Sequence, residues 1–417
     1  MILLKNATIL DQQSAYHLQQ KDVLIDKGII DRIEDEIAVN DGTKVIDVVG
    51  LHLSIGWFDS SVSFGEPGFE EKQTLENGLN AAASGGFTTV MLNPNNKPNP
   101  QDESGIHYLK NKTAHHLVDL IPVGNLTLDQ GGEHLAELYD MHQAGAISFY
   151  DFKKAIENPN LMKVALQYVK SFNGVIQSYP QDNKVAGKGM VNEDVTNTHL
   201  GLKAMPPLAE HLQIARDVQI ALYTDSRLHI PTVSTIEGLK VIKEAKKKTN
   251  KITCSVSVNH LLLDSTRLND FNTVFKVQPP LRDEKTVKAL LKAVKNAHVD
   301  MITSDHIPLT VESKAVEFDQ ADYGSIGLES AYKCLVPALG AQTTVQMLTA
   351  GYEAFGLERP EITVGATANL TLFTTEGNDY LSSEDILSTS KNAALLGEKT
   401  QGAVIGVING VNSIIHE

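Results

Sequence analysis

At 417 residues the chain exceeds the usual size of one compact core, so one large domain with an appendage, or two domains, is expected. Its 42% hydrophobic and 21% charged residues are the proportions of a soluble globular protein, and a net charge of -15 leaves no diffuse basic field for phosphates, which argues against nucleic acid as a partner. No apolar run approaches bilayer length, the opening Met1-Ile2-Leu3-Leu4-Lys5-Asn6 lacks the basic start of a secretory leader, and Cys254 and Cys334 each sit in an apolar segment as buried thiols do, so a cytoplasmic protein without membrane contact is expected.

Residues 1–53 alternate short apolar runs, such as Asp22-Val23-Leu24-Ile25 and Val45-Ile46-Asp47-Val48, with breaks at Asp26-Lys27-Gly28 and Asn40-Asp41-Gly42. That is the punctuation of strands and hairpins. The texture then changes to β-rich runs that each follow a longer helical one: 86–92 after 74–84, 145–150 after 133–143, 174–178 after 162–172, 228–230 after 209–222, 252–256 after 235–248, and 299–303 after 286–297. Repeated βα units suit a closed (β/α)8 TIM barrel or a doubly wound sheet, and the pattern leaves that choice open. Residues 310–323 lack a clear period and read as a loop at the mouth of such a barrel. Strand texture returns from about 362, in Ala368-Asn369-Leu370-Thr371-Leu372-Phe373 and 402–410. The two ends are expected to pair into one small β domain, 1–53 with 362–417, beside a central domain over 54–361.

Several blocks carry the functional signal. Asp59-Ser60-Ser61-Val62-Ser63-Phe64-Gly65-Glu66-Pro67-Gly68 ends the first strand-like run of the central part. After it come Pro94-Asn95-Asn96-Lys97-Pro98, Val233-Ser234-Thr235, His260-Leu261-Leu262-Leu263, Pro279-Pro280-Leu281-Arg282, Ser304-Asp305-His306-Ile307-Pro308 and Gly324-Ser325-Ile326-Gly327-Leu328-Glu329. In this order they resemble the dihydroorotase family of cyclic amidohydrolases. The resemblance implies an α/β fold, a (β/α)8 TIM barrel of the amidohydrolase type with a small β-sandwich domain built from both chain ends. Functional side chains of such barrels sit at the C-terminal ends of the strands. The implied chemistry is reversible ring closure of N-carbamoyl-aspartate to dihydroorotate, in which zinc polarises the amide and supplies hydroxide while an Asp moves the proton.

Carried over residue by residue, the implied site is altered. Zinc binding requires donors such as His, Cys, Asp and Glu, and a neutral hydroxyl is a poor substitute. The family's metal-ligand positions fall on Ser61, Ser63, Asp151, Ser178 and Thr232, so four histidines are replaced and only Asp151, with Asp305, could still ligate. Asp305 matches the catalytic Asp, with His306 after it, and Asn95 matches an Asn that holds the substrate carboxylate. The Arg that works with that Asn falls on Gly65, and further substrate positions fall on Gln278 and Leu309. Asp59, Glu66-Pro67-Gly68 and the retained glycines and prolines read as architecture.

The expected protein is therefore a dihydroorotase-like chain of pyrimidine biosynthesis, catalytically inactive and serving as a structural or regulatory subunit, with no cofactor. The resemblance implies aspartate carbamoyltransferase as a partner and a homodimer. The alternative is an active dihydroorotase or related cyclic-amide hydrolase with zinc in an atypical site.

Overall fold

A computed structural model describes residues 1–39 and 41–416; Asn40, in one of the expected breaks, and Glu417 lie outside the described residues. Both chain ends contribute to one eight-stranded sheet. His52–Ile55 pairs parallel with Ile2–Ile9 on one side and antiparallel with Asn369–Tyr380 on the other, Leu53 opposite Leu372. Leu4, Ile9, Val23, Leu53, Leu370 and Leu372 belong to one buried cluster, which is why the ends join: neither set of strands alone could cover its apolar face.

Apart from a separate parallel pair, Val191–Asn192 with Ala204–Met205, the described residues of the central part supply eight parallel strands: β1 Trp57–Val62, β2 Phe87–Leu92, β3 Asp119–Pro122, β4 Ser148–Phe149, β5 Val175–Gln177, β6 Leu228–Ile230, β7 Ile252–Ser257 and β8 Met301–Thr303. Hydrogen bonds join β1 to β3 in one run and β4 to β8 in a second. Isolated parallel bridges link Gly124, just past β3, to Phe149 in β4, and Val62 in β1 to His306, just past β8. Every residue of β1 and β2 is buried, as expected of strands covered on both faces.

The helices between them start on local signals. Thr74, Asn158, Thr235 and Asp283 each accept a hydrogen bond from a first-turn backbone N–H, opening Leu75–Ser84, Pro159–Lys170, Ile236–Lys246 and Glu284–Lys295. The helix expected over 133–143 is reduced to Leu138–Ala144, because 134–136 turn back on 126–128: Leu128 N–H donates to His134 O (2.9 Å) and Ala136 N–H to Leu126 O (3.1 Å). The expected loop over 310–323 contains a short helix, Val311–Lys314. It is held down by the buried Lys314 ammonium, which donates to the carbonyls of Thr273, Lys276 and Asp322 at 2.8–3.2 Å. Among the described residues no helix is long and apolar enough to cross a membrane. Cys254 and Cys334 are free, and burial pushes each thiol up to about 12.

Candidate functional site

The strand ends gather Asp59, Ser61, Ser63, Asp151, Ser178, Thr232 and Asp305, all buried. Each acid is already occupied. Asp59 accepts from Ser61 N–H (2.9 Å), Ser304 N–H (2.7 Å) and the Thr303 hydroxyl. Asp151 accepts from the N–H groups of Leu126 (3.0 Å) and Thr127 (2.9 Å) and from the Thr127 hydroxyl. The turn of 134–136 onto 126–128 is what brings those donors to Asp151. Burial pushes both carboxyls above their usual range, and these hydrogen bonds oppose that.

Asp305 is held differently. Its Oδ1 accepts from Ser61 Oγ (3.2 Å), and its Oδ2 receives the Lys153 ammonium at 2.7 Å. Lys153 Nζ also donates to the carbonyl of Gln278. Burial raises the Asp305 carboxyl and the Lys153 charge pulls it back. Lys153 stands two residues beyond Asp151. Its one signal in the sequence was a lysine at a strand end.

The serine hydroxyls at the remaining positions are tied into the scaffold. Asn93 Nδ2 donates to Ser61 Oγ (3.2 Å) and Ser63 Oγ (3.1 Å). Ser178 Oγ donates to Asp217 Oδ2 at 2.5 Å, a buried acid from the helix Leu208–Thr224 that also takes Gln213 and Arg216. Thr232 has a positive φ of 49° and donates its N–H to Ser255 Oγ (3.2 Å); its own hydroxyl oxygen is buried without a protein partner. Asn93 and Asp217 carried no signal in the sequence that set them apart from core polar residues.

The nearby histidines have both ring nitrogens engaged. His229 contacts Thr253 Oγ1 (2.9 Å) and Ser255 Oγ (3.1 Å). His260 contacts Ser257 Oγ (2.6 Å) and Pro279 O (2.9 Å), and His306 contacts Gln73 Oε1 (2.9 Å) and accepts from Gly327 N–H (3.2 Å). Burial lowers all three to about 3, so they are neutral near pH 7.

Outside this layer a cleft of about 270 Å³ is lined by Ser63, Gly65, Asn95, Lys153, Gln278 and Leu309 among others. Asn95 faces it half-buried, its Oδ1 without a protein partner. At Gly65, which donates its N–H to Gln73 O (2.8 Å) and accepts from Phe69 N–H (2.9 Å), an added Cβ would lie 1.8 Å from the Phe69 carbonyl oxygen. The turn has closed over the place where an Arg would start. Gly65→Ala is expected to lower the melting temperature by about 2 °C in a thermal scan, from overpacking of roughly 2 kcal/mol. An unchanged melting temperature would mean that the turn yields freely.

The comparisons decide the lineage. The family profile described as Dihydro-orotase-like matches residues 51–238. A dihydroorotase of Carboxydothermus hydrogenoformans is 34% identical over 419 residues, covering 98% of this chain and 97% of that protein. One of Pelotomaculum thermopropionicum is 32% identical over 423 residues, covering 100% and 99%. The chain belongs to the dihydroorotase family. Its fold is that of solved amidohydrolase enzymes: an L-hydantoinase (dihydropyrimidinase) from Arthrobacter aurescens superposes with a TM-score of 0.87 at 19% identity, covering 100% of this chain and 96% of that one. A D-hydantoinase (dihydropyrimidinase) from a Thermus species gives 0.82 at 20%, covering 100% and 97%.

For a dihydroorotase-family chain the group to test against this site is zinc. Its four tetrahedral positions call for imidazole, thiolate or carboxylate donors with free lone pairs. Positions 61, 63, 178 and 232 offer neutral hydroxyls, Asp151 and Asp59 each accept three hydrogen bonds, and Asp305 carries an ammonium. Among the described residues no three His, Cys, Asp or Glu side chains gather where one ion could be held. The donor set does not fit zinc.

Proposed function

We propose that this dihydroorotase-family chain serves pyrimidine biosynthesis as a structural or regulatory subunit that lacks the metal-ligand histidines and does not itself hydrolyse a ring amide. One observation carries the reading: each of the three strand-end acids is hydrogen-bonded or ion-paired within the chain, and among the described residues no three metal-ligating side chains gather to activate water or polarise an amide. The names of the relatives back the other reading better, an active dihydroorotase or related cyclic-amide hydrolase with an atypical metal site, since they align over nearly the whole chain. We keep the non-hydrolytic reading first because chemistry is done by the site and not by the lineage. In the same reading the two bridges past β3 and β8 close the parallel strands into a (β/α)8 barrel over 54–361, and the sheet of both ends forms a β-sandwich domain over 1–53 and 362–417. Aspartate carbamoyltransferase and a second copy of the chain are the partners it implies.

Elemental analysis of the purified chain beside a dihydroorotate assay tests this function. Neither stoichiometric zinc nor turnover is expected; stoichiometric zinc with metal-dependent turnover overturns the reading in favour of the enzyme. Failure to co-purify with aspartate carbamoyltransferase, together with no change in that enzyme's activity or assembly, removes the partner.

A further inference from the structure

We propose that the Lys153 ammonium is the resident cation of this site, a tethered charge that locks the ends of β4 and β8 together and takes the coordination capacity of Asp305 away from any metal ion. The inference rests on the non-hydrolytic reading and adds a positive role for one residue.

Asp305 is set apart from the other two acids by its donors. Asp59 and Asp151 are each neutralised by two backbone N–H groups and a hydroxyl. Among the described residues Asp305 has no backbone donor, only the Ser61 hydroxyl and the Lys153 ammonium. A buried carboxylate left with one hydroxyl is strongly penalised, so Asp305 depends on a cation. Lys153 supplies it from a side chain 9% exposed, against 3% for Asp305.

The backbone is shaped to this contact. Lys153 has φ 53° and Asp305 φ 50°, the left-handed region that side chains with a Cβ avoid, and strain of this kind persists where surrounding contacts hold it. The Lys153 N–H donates to Tyr150 Oη (3.0 Å), which fixes the turn after β4, and Nζ lies 5.7 Å from the centre of the Phe152 ring. With the Gln278 carbonyl as further acceptor, the ammonium ties together segments that follow β4, β7 and β8. Both Asp305 oxygens are thereby engaged from within the chain.

Thermal unfolding of the full chain tests this through variants and a chemical rescue. Lys153→Ala is expected to lower the melting temperature by about 4 °C, the effect of breaking a buried pair. Adding Asp305→Asn to that variant should recover most of the loss, because the uncompensated charge is gone. Ethylammonium chloride should raise the melting temperature of Lys153→Ala more than sodium chloride of equal ionic strength, and should not do so for the unaltered protein. The melting temperature of the unaltered protein should not respond to EDTA or to zinc chloride. A Lys153→Ala protein within about 1 °C of the parent, or a double variant that loses the sum of the single losses, overturns the proposal. If Lys153→Ala is insoluble, Lys153→Met/Asp305→Asn is expected to be soluble and folded, and its insolubility counts against the proposal. A zinc-free parent with an indifferent Lys153→Ala sinks this inference alone; stoichiometric zinc lost to EDTA with a falling melting temperature sinks the proposed function with it.

Discussion

Arg282→Met is expected to lower the melting temperature by about 4 °C, the result of breaking a buried ion pair worth roughly 3–5 kcal/mol when one partner is left behind. Arg282 and Glu210 are each 3% exposed, and the guanidinium uses its whole fork: Nε donates to Ser234 Oγ (3.0 Å), one terminal nitrogen to Asn192 Oδ1 (2.7 Å) and the other to Glu210 Oε2 (3.2 Å). Glu210 in turn accepts from the N–H groups of Ser234 (2.9 Å) and Thr235 (2.7 Å), from Thr235 Oγ1 (2.7 Å) and from the Ser234 hydroxyl. This cluster fastens the helix Leu208–Thr224 to the turn after β6, the turn that also carries Thr232. Lysine cannot reproduce three donors in one plane, so Arg282→Lys should recover little. Calorimetry of the two variants is decisive; an Arg282→Met protein that melts with the parent would show that the charge of Glu210 finds another partner.

Acid should destabilise the protein steeply just below neutrality. His229, His260 and His306 are lowered by burial to about 3, against an ordinary value of 6.5. Between those values the unfolded chain binds protons that the folded chain refuses, so stability is full above about 6.5 and is lost as pH falls. Each ring costs at most about 1.4 kcal/mol per pH unit, and three together give a loss of about 4 kcal/mol between pH 7 and 5.5 as an upper figure. The carboxyls of Asp59, Asp151, Asp217, Asp305 and Glu329 have the opposite sign: burial raises them, so the fold is relieved as pH drops through their folded values. They act against the histidines wherever they titrate. Urea unfolding at several pH values measures the slope, and His260→Gln, which can still bond Ser257 and Pro279, should flatten it by about a third. A stability that is level from pH 7 to 5.5 would contradict the burial of these rings.

The serines at 61, 63 and 178 and the threonine at 232, where the family resemblance implies imidazoles, were legible without coordinates, because residue type is a local fact flanked by recognisable blocks. Capping residues such as Thr74, Thr235 and Asp283 likewise announce their helices through the neighbouring backbone alone. Residues 134–136 misled because their helical texture lost to pairing with 126–128, a contact between segments that propensity does not see. Gly65 was visible as a glycine where the resemblance implies an Arg, but not the Phe69 carbonyl that fills the space a side chain would need.

By itself the sequence determined the lineage, the alternation of strand and helix through the centre, and the strand texture of both ends. Only the tertiary structure decided what the surviving acids do. Lys153 meets Asp305 across 152 positions of chain, and Arg282 meets Glu210 across 72. The reason is physical: periodicity and capping are set by neighbours along the chain, whereas the partner of a buried charge is set by which strand ends the fold brings together.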